Sequence, residues 1–386
     1  MKTGWKPLSV VQVNYAFDKG LTDPEQLLDR YSTLTGWSDA LGRAGASPVA
    51  VVQRFHRDAR MARDGVDYIF RRTGCSTTAA ACRPDVAHVN GLDFPARTWR
   101  LRRRLDPSCA IVVQNHAGGG IAGRASALRV LGRAARRAAD AFLVAADEHA
   151  VSWRRAGFIA PDQPAYQVME SSTRLRPVPR GVARDQSGVS GSPAVLWVGR
   201  LNSNKDPLVA LDGFERSLRE LPDAALTMIY SEEDLLDAVR QRLQRSPVLN
   251  DRVRLVGAVP HERMASFYSA ADLFVVGSHY EGSGYSVMEA CACGAVPVVT
   301  SIPTFRLLTG NGSVGALWTP GDADGCARAL AEVGRRDLIA ERARLADHFA
   351  RELSWDAVGR RALEIYEQVL GARYSGLAAP AFFTQE

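Results

Sequence analysis

The residues of this sequence best suited to chemistry begin with two cations that follow an apolar run. Gly199 ends the run, Arg200 and Lys205 come next, and Asp206 precedes a predicted helix. Two cations at a sheet edge beside a helix N-terminus form a site for a diphosphate. The chain has four lysines against 44 arginines, and three of the lysines lie in the first nineteen residues. An ammonium and a guanidinium differ in shape and hydration, so the isolated Lys205 indicates a position chosen for its chemistry.

Two glutamates flank the start of a second predicted helix, from residue 283 to residue 293. Gly282 and Gly284 allow the backbone to approach a ligand closely. The free N–H groups and positive dipole end of the helix suit an anion. Glu281 and Glu289 lie eight residues apart, which leaves them within about 80° on a helical wheel. The simpler alternative is a capping residue and an ordinary surface glutamate.

Carboxylates beside an anion site suit the recognition of hydroxyl groups. We therefore expect Glu281 to contact a sugar and Glu289 to contact a ribose. The predicted ligand-binding residues are Gly199, Arg200, Lys205, Gly282, Ser283, Gly284, Tyr285, Ser286 and Glu289.

The elements that must position these residues are short apolar strands alternating with helices. The predicted strands lie near residues 8–13, 48–52, 86–89, 110–113, 141–144, 194–198, 226–229, 253–256, 273–276 and 296–299. This rhythm is typical of doubly wound parallel sheets, which bind ligands at the carboxyl ends of their strands. The Gly/Ser-rich stretch that ends in Pro193 is typical of a linker. The sequence therefore predicts two α/β domains that face a cleft.

The predicted boundaries follow from that linker. They are a first domain over residues 1–185, a linker over 186–193, a second domain over 194–354, and a C-terminal helix and tail over 355–386. A return of the C-terminal helix to the first domain is one option.

Composition and charge exclude several classes of protein. The chain of 386 residues has no apolar run of 18 residues, no signal-peptide core at its start, and six cysteines without paired spacing. A membrane channel, a secreted disulfide mini-protein and a disordered regulator are excluded, and a cytoplasmic location is expected. Residues 1–190 hold 28 Lys and Arg against 17 Asp and Glu, whereas residues 191–386 hold 20 against 25. The basic first half favours an anionic acceptor or peripheral contact with the inner face of a membrane, and compositional bias is the alternative.

Several motifs resemble those of the retaining GT-B glycosyltransferases of family 4, also called glycosyl transferases group 1. Gly199-Arg200-Leu201 with Lys205-Asp206 resembles the family's G-R-L…K-(G/D) segment. Residues 281–299 resemble its E-x7-E segment, except that Ser283 replaces a common Phe. Residues 253–260 resemble the V-x-F-x-G-x-V segment, whose loop borders the nucleotide base.

The resemblance implies a GT-B fold and a role for each residue. Arg200 and Lys205 would hold the diphosphate of a nucleotide sugar, Glu281 the transferred sugar, and Glu289 the ribose. His116 follows a strand in a position that resembles that of the family's histidine near the reacting sugar, and His88 is expected to pack beneath it. The resemblance implies UDP as the preferred nucleotide, with GDP open. It implies transfer to an unidentified acceptor with anomeric retention, and no cofactor or metal is expected.

Three other motifs give competing interpretations. The run Gly118–Gly123 fits G-x-G-x-x-G and would support an NAD(P)-dependent oxidoreductase, although Asp147, beyond the next strand, lies 29 positions after Gly118 rather than the usual ~20. Asp322-Ala323-Asp324 has the D-x-D form of a metal motif, but Asp322 is better placed to cap a helix. Cys291 and Cys293 would point to nearly opposite faces of one helix. A nucleotide-sugar-binding protein without transfer activity is a further alternative.

Overall fold

The protein is divided into two compact units. The computed structural model describes residues 6–92, 94–114 and 137–378, with side chains as far as Tyr374. Unit 1 comprises residues 1–171 together with 355–386, and unit 2 comprises residues 172–354. In the described part of the chain, no helix is both long and apolar enough to cross a membrane.

Unit 1 is built on an eight-stranded sheet in the order β3-β4-β2-β1-β5-β6-β7-β8. Its strands are β1 (Val10–Asn14), β2 (Val49–Arg54), β3 (Ala59–Arg63), β4 (Val66–Arg71), β5 (Val86–Asn90), β6 (Ala110–Gln114), β7 (Ala141–Val144) and β8 (Ala165–Gln167). All neighbours are parallel except β3 and β4. Strands β1, β2 and β5 are buried almost throughout, as expected for a parallel sheet covered on both faces.

The helices described in unit 1 include one from the end of the chain. They are α1 (Pro24–Arg30), α2 (Ser32–Ala44), α3 (Cys75–Ala81), α4 (Pro95–Arg102), α5 (Asp147–Arg155) and α15 (Trp355–Ala378). Helix α15 packs on α2, where a Cβ added to Gly359 would lie 2.3 Å from the carbonyl oxygen of Ala40. Trp37 Nε1 on α2 also donates to the Tyr366 hydroxyl at 3.3 Å. The C-terminal helix therefore completes the core of unit 1, as the sequence allowed.

Unit 2 is built on a parallel six-stranded sheet in the order β11-β10-β9-β12-β13-β14. Its strands are β9 (Ala194–Gly199), β10 (Ala225–Tyr230), β11 (Val253–Gly257), β12 (Leu273–Val276), β13 (Val296–Thr300) and β14 (Ala316–Trp318). Its helices are α6 (Arg180–Ser187), α7 (Pro207–Ser217), α8 (Leu236–Gln244), α9 (Pro247–Arg252), α10 (Met264–Ala270), α11 (Tyr285–Cys293), α12 (Pro303–Leu308), α13 (Ala323–Gly334) and α14 (Leu338–His348). A 3₁₀ turn, His261–Arg263, precedes α10, and a π turn, Phe349–Leu353, follows α14.

The start of unit 2 at Ser172 differs from the predicted division at 185 and 194. Helix α6 lies in this stretch and packs on α10. The buried carboxylate of Asp272 accepts the Ala194 amide at 2.8 Å and pairs with Arg184 at 3.3 Å. These contacts attach this stretch to the second sheet, so the predicted linker, residues 186–193, lies wholly within unit 2.

Candidate active site

A cavity of about 490 Å³ lies at the carboxyl edge of the second sheet. It is next to the point where the strand order reverses, between β9 and β12. Open α/β sheets bind ligands at such a point. The residues that line it are Val198, Gly199, Arg200, Lys205, Ile229, Tyr230, Ser231, Ala258, Val259, His261, Met264, Tyr268, Glu281, Ser283, Gly284, Tyr285, Ser286 and Glu289. We call it the donor cavity.

Two buried charges of the donor cavity form an ion pair. Lys205 Nζ contacts Glu281 Oε1, and about nine-tenths of each side chain is buried, with 11% and 13% exposed. Glu281 Oε1 also accepts a hydrogen bond from Ser278 Oγ at 2.7 Å. The two side chains therefore fix each other's position on the wall of the cavity.

Asn204 connects the two loops that carry this ion pair. Its Nδ2 donates to the Tyr280 carbonyl at 3.0 Å, and its Oδ1 accepts the Tyr280 amide at 3.1 Å. Its own carbonyl accepts the His279 amide at 2.9 Å. Because three bonds join neighbours of Lys205 to neighbours of Glu281, the relative positions of cation and carboxylate are set by the backbone.

Arg200 lies at the exposed rim of the donor cavity. Its Nη1 is 3.5 Å from Glu232 Oε1, and about half of each side chain is exposed. An exposed pair at this distance contributes little to stability. The guanidinium is therefore readily available to a phosphate.

Helix α11 directs its N-terminus into the donor cavity. Its N-cap is Gly284, with φ of +64°, and no side chain accepts a hydrogen bond there. A Cβ at Gly284 would lie 2.8 Å from Leu308 Cδ1, so glycine is required by both conformation and space. The amides and positive dipole end of the first turn therefore lie where the sequence predicts an anion site.

Glu289 is held in the donor cavity by two side chains from other segments. The hydroxyl of Tyr268 donates to Oε2 at 3.0 Å, and His261 Nε2 lies 2.7 Å from Oε1. Burial raises the pKa of Tyr268 well above its usual range, and the nearby Glu289 carboxylate adds to this. Tyr268 therefore remains protonated and donates a hydrogen bond to the Glu289 carboxylate. This bond holds in place the side chain that the sequence predicts to contact a ribose.

The structure brings nearly all of the predicted site residues together. Of the predicted residues, Gly282 does not line the donor cavity, and His116 and the run Gly118–Gly123 lie outside the described residues. The helical-wheel argument is wrong in one respect. Helix α11 begins at Tyr285, so Glu281 lies in the preceding loop and Thr304 Oγ1 holds its carbonyl at 2.6 Å.

Four supporting residues were missed by the sequence analysis: Asn204, His261, Tyr268 and Ser278. The contacts of Asn204, His261 and Tyr268 join segments far apart in the chain, which spacing within one segment does not reveal. Ser278 contacts Glu281, only three residues further along the chain, and was overlooked. Ala258 and Val259, from the segment expected to border the base, do line the donor cavity.

The motifs set aside in the sequence have structural roles. Asp322 is the N-cap of α13, where Oδ1 accepts the Gly325 amide at 2.9 Å. Cys291 and Cys293 are buried, and burial raises the pKa of each thiol to about 12.

Comparisons with known proteins match mainly unit 2, the unit that contains the donor cavity. The family model for glycosyl transferases, group 1, matches residues 180–348, which is almost all of unit 2. D-inositol 3-phosphate glycosyltransferase of Thermobispora bispora is 30% identical over 209 residues, or 51% of this chain and 48% of that protein. GDP-mannose:cellobiosyl-diphosphopolyprenol alpha-mannosyltransferase of Xanthomonas campestris is 25% identical over 307 residues, 77% of each protein.

The fold is shared with solved glycosyltransferases. A crystal structure of a glycosyltransferase from Rickettsia africae superposes with a TM-score of 0.70 at 12% identity, covering 95% of this chain and 99% of that one. The chain therefore shares the GT-B fold of these glycosyltransferases, and unit 2 is similar to the group 1 glycosyl transferases. The chain spans about half the length of the inositol 3-phosphate enzyme that it matches.

Proposed function

We propose that this protein transfers a sugar from a nucleoside diphosphate sugar to an acceptor hydroxyl, with retention of anomeric configuration and without a divalent metal. The observation that carries the proposal is the grouping of Arg200, Lys205, Glu281, Glu289 and the α11 N-terminus around one cavity. Cations and helix dipole match a diphosphate, and the carboxylates match the hydroxyls of a sugar and a ribose.

The proposed reaction breaks the bond between the anomeric carbon and the diphosphate oxygen. Arg200, Lys205 and the first-turn amides of α11 stabilise the charge that develops on the leaving group. The acceptor oxygen forms its bond on the same face of the sugar, and its proton passes to the departing phosphate oxygen. Glu281 orients the sugar hydroxyls, a role that leaves no nucleophile for double displacement among the residues assigned to the donor cavity.

His116 remains the proposed side chain near the reacting sugar, from the family resemblance alone. Its replacement by Ala is expected to lower turnover while the affinity for the nucleotide changes little. A large loss of nucleotide affinity with normal turnover would contradict this assignment.

The nucleotide is proposed as UDP, with GDP as the competing candidate because the Xanthomonas relative is named for GDP-mannose. A thermal-shift screen of UDP-sugars and GDP-sugars separates them, since a ligand bound only by the folded protein raises the melting temperature. Equal shifts with all donors would remove the preference for UDP.

The test of the mechanism is product analysis after exhaustive chelation. We expect undiminished transfer in excess chelator and an anomeric configuration identical to that of the donor by NMR. Activity that is lost with chelator and restored by Mg²⁺ or Mn²⁺, or an inverted product, would contradict the mechanism. Donor binding without transfer to any acceptor would favour the non-catalytic alternative.

A further inference from the structure

A second cavity, of about 290 Å³, lies at the carboxyl edge of the unit 1 sheet. It is formed by the residues that follow β1, by the ends of β2 and β4, and by helices α3 and α4. Its lining residues are Tyr15, Arg54, Arg72, Thr73, Gly74, Cys75, Ser76, Thr77, Arg97, Arg100 and Arg104. We call it the arginine pocket. Like the donor cavity, it lies next to the point where the strand order reverses, which in this sheet is between β1 and β5.

The charge of the arginine pocket is entirely positive. Five of its lining residues are arginines and none is acidic. Within the part of the chain that the structure describes, none of these five side chains forms an ion pair with a carboxylate. The nearby Asp58 instead pairs with Arg71 at 2.9 Å and accepts the Arg72 amide at 2.9 Å. The hydrogen bonds that the structure describes for Arg97 and Arg104 go to backbone carbonyls, whereas many arginines described elsewhere in this chain pair with a carboxylate, such as Arg43, Arg63 and Arg242.

Arg97 is fixed at the centre of this cluster. Its Nη1 donates to the Tyr15 carbonyl at 3.0 Å, and its guanidinium lies 5.4 Å and 5.3 Å from the ring centroids of Tyr15 and Phe94. Burial lowers the pKa of Arg97, and repulsion from Arg54 and Arg100 lowers it further. The protein therefore holds a cation against the repulsion of its neighbours, and an anion would relieve that repulsion.

Hydroxyl groups complete the wall of the arginine pocket. Tyr15 and Ser76 lie 2.8 Å apart, oxygen to oxygen, and Thr73 and Thr77 belong to the same lining. Guanidinium forks with adjacent hydroxyl donors match the several oxygen atoms of a phosphoryl group better than the two of a carboxylate.

We infer that the arginine pocket binds a phosphoryl group of the acceptor substrate. The inference rests on the proposed function only in naming the bound molecule as the acceptor. A soluble sugar phosphate and a lipid-linked diphosphate both present this chemistry.

The first experiment measures the binding of inorganic phosphate to the full chain by calorimetry at low ionic strength. Arg100→Gln and Arg104→Gln, both exposed, should each weaken binding about tenfold, the usual loss for one charged hydrogen bond. Arg103→Gln is the matched control, because Arg103 is the exposed neighbour of Arg104, stacks 4.8 Å from the Trp99 ring centroid and lies outside the pocket lining. It should change the affinity by less than about twofold.

Three results would overturn the inference while leaving the proposed function intact. The first is equal loss of phosphate affinity in Arg103→Gln and Arg104→Gln, and the second is no binding by the wild type. The third is loss of binding in Lys205→Ala with no effect of Arg100→Gln or Arg104→Gln, since the phosphate would then occupy the donor cavity.

The second experiment identifies the source of the phosphoryl group. A hexose monophosphate and a polyprenyl diphosphate in detergent are each compared with their unphosphorylated alcohols, with Lys205→Ala as background. One phosphorylated probe should bind at least about tenfold tighter than its alcohol, and Arg104→Gln should remove the preference. Binding of neither probe, or no preference for the phosphorylated form, would overturn the inference.

Discussion

The donor cavity and the arginine pocket occupy equivalent places on two sheets, but their lining residues differ in charge. Among the described residues, cations are paired with carboxylates in the first and are not in the second. Both lie at the carboxyl edge where the strand order reverses. In the donor cavity, Lys205 pairs with Glu281 and Arg200 with Glu232. In the arginine pocket five cations face one another with no carboxylate in the lining.

This difference reflects what each site is expected to bind. A nucleotide sugar offers both anionic and hydroxyl groups, so a cavity containing both cations and carboxylates can contact both kinds of group. A bare phosphoryl group offers only negative charge and acceptor oxygens, and a carboxylate nearby would repel it. The charges of the donor cavity are therefore largely paired without a ligand, whereas the arginine pocket has an excess of positive charge that a phosphoryl group would partly neutralise.

The strongest test of the comparison is removal of the donor-cavity cations. Lys205→Ala and Arg200→Ala should each lower the transfer rate by about 10²–10³, because each removes stabilisation of the leaving diphosphate. Steady-state kinetics measures the change, and phosphate binding at the arginine pocket serves as the internal control. Transfer at the wild-type rate in both variants would disprove the diphosphate assignment.

A second test addresses the buried ion pair. Lys205→Met should lower the free energy of unfolding by about 3 kcal/mol, because it leaves the Glu281 carboxylate buried without its partner. The double variant Lys205→Met/Glu281→Gln should recover much of that loss. Denaturant unfolding measures both, and additive losses in the double variant would show that the two side chains are not coupled.

A third test separates the two glutamates. Glu289→Gln should weaken the binding of free nucleoside diphosphate about tenfold, because the ribose is present in that ligand. Glu281→Gln should weaken the binding of the intact nucleotide sugar and leave that of the free diphosphate nearly unchanged. Calorimetry with the two ligands distinguishes the roles, and the reverse pattern would refute them.

The smallest expected effect is that of an arginine-pocket substitution on the stability of the protein. Arg100→Gln should leave the free energy of unfolding unchanged or raise it by up to about 0.5 kcal/mol at low salt, because it relieves repulsion and breaks no ion pair. The gain should disappear at high salt. A clear destabilisation by this substitution would mean that Arg100 makes a stabilising contact in the free protein. The arginine pocket would then not differ from the ion pair of Lys205 in its effect on stability.

The sequence predicts the fold and the donor residues because both depend on local pattern. Buried parallel strands are continuous apolar runs, and Gly199, Lys205, Glu281 and Glu289 lie in short motifs with characteristic spacing. One local signal was overlooked. Asp64-Gly65, with φ of 53° and 77°, turns β3 into β4, and an Asp-Gly pair is a strong hairpin signal.

Most of the residues that sequence reasoning did not find depend on contacts between distant segments. Tyr268 meets Glu289 only because α10 packs against α11. The arginine pocket collects residues from four stretches of unit 1, so its arginines were visible in the sequence only as a basic first half. Helix α6 was not predicted, because the residues around it are rich in Gly and Ser. Its position depends on the ion pair between its Arg184 and the buried Asp272.

The path of the chain through unit 1 has a consequence for synthesis on the ribosome. The segment 172–354 is inserted between the sheet of unit 1 and α15, the helix that covers Trp37. Domains generally begin to fold as they emerge, the N-terminal one first. Here the first sheet to emerge must wait for the whole of unit 2 before Tyr366 can reach Trp37 and His88, which it contacts at 3.3 Å and 2.6 Å. Unit 1 therefore starts folding first and finishes last, and a truncation before Trp355 would remove part of its core.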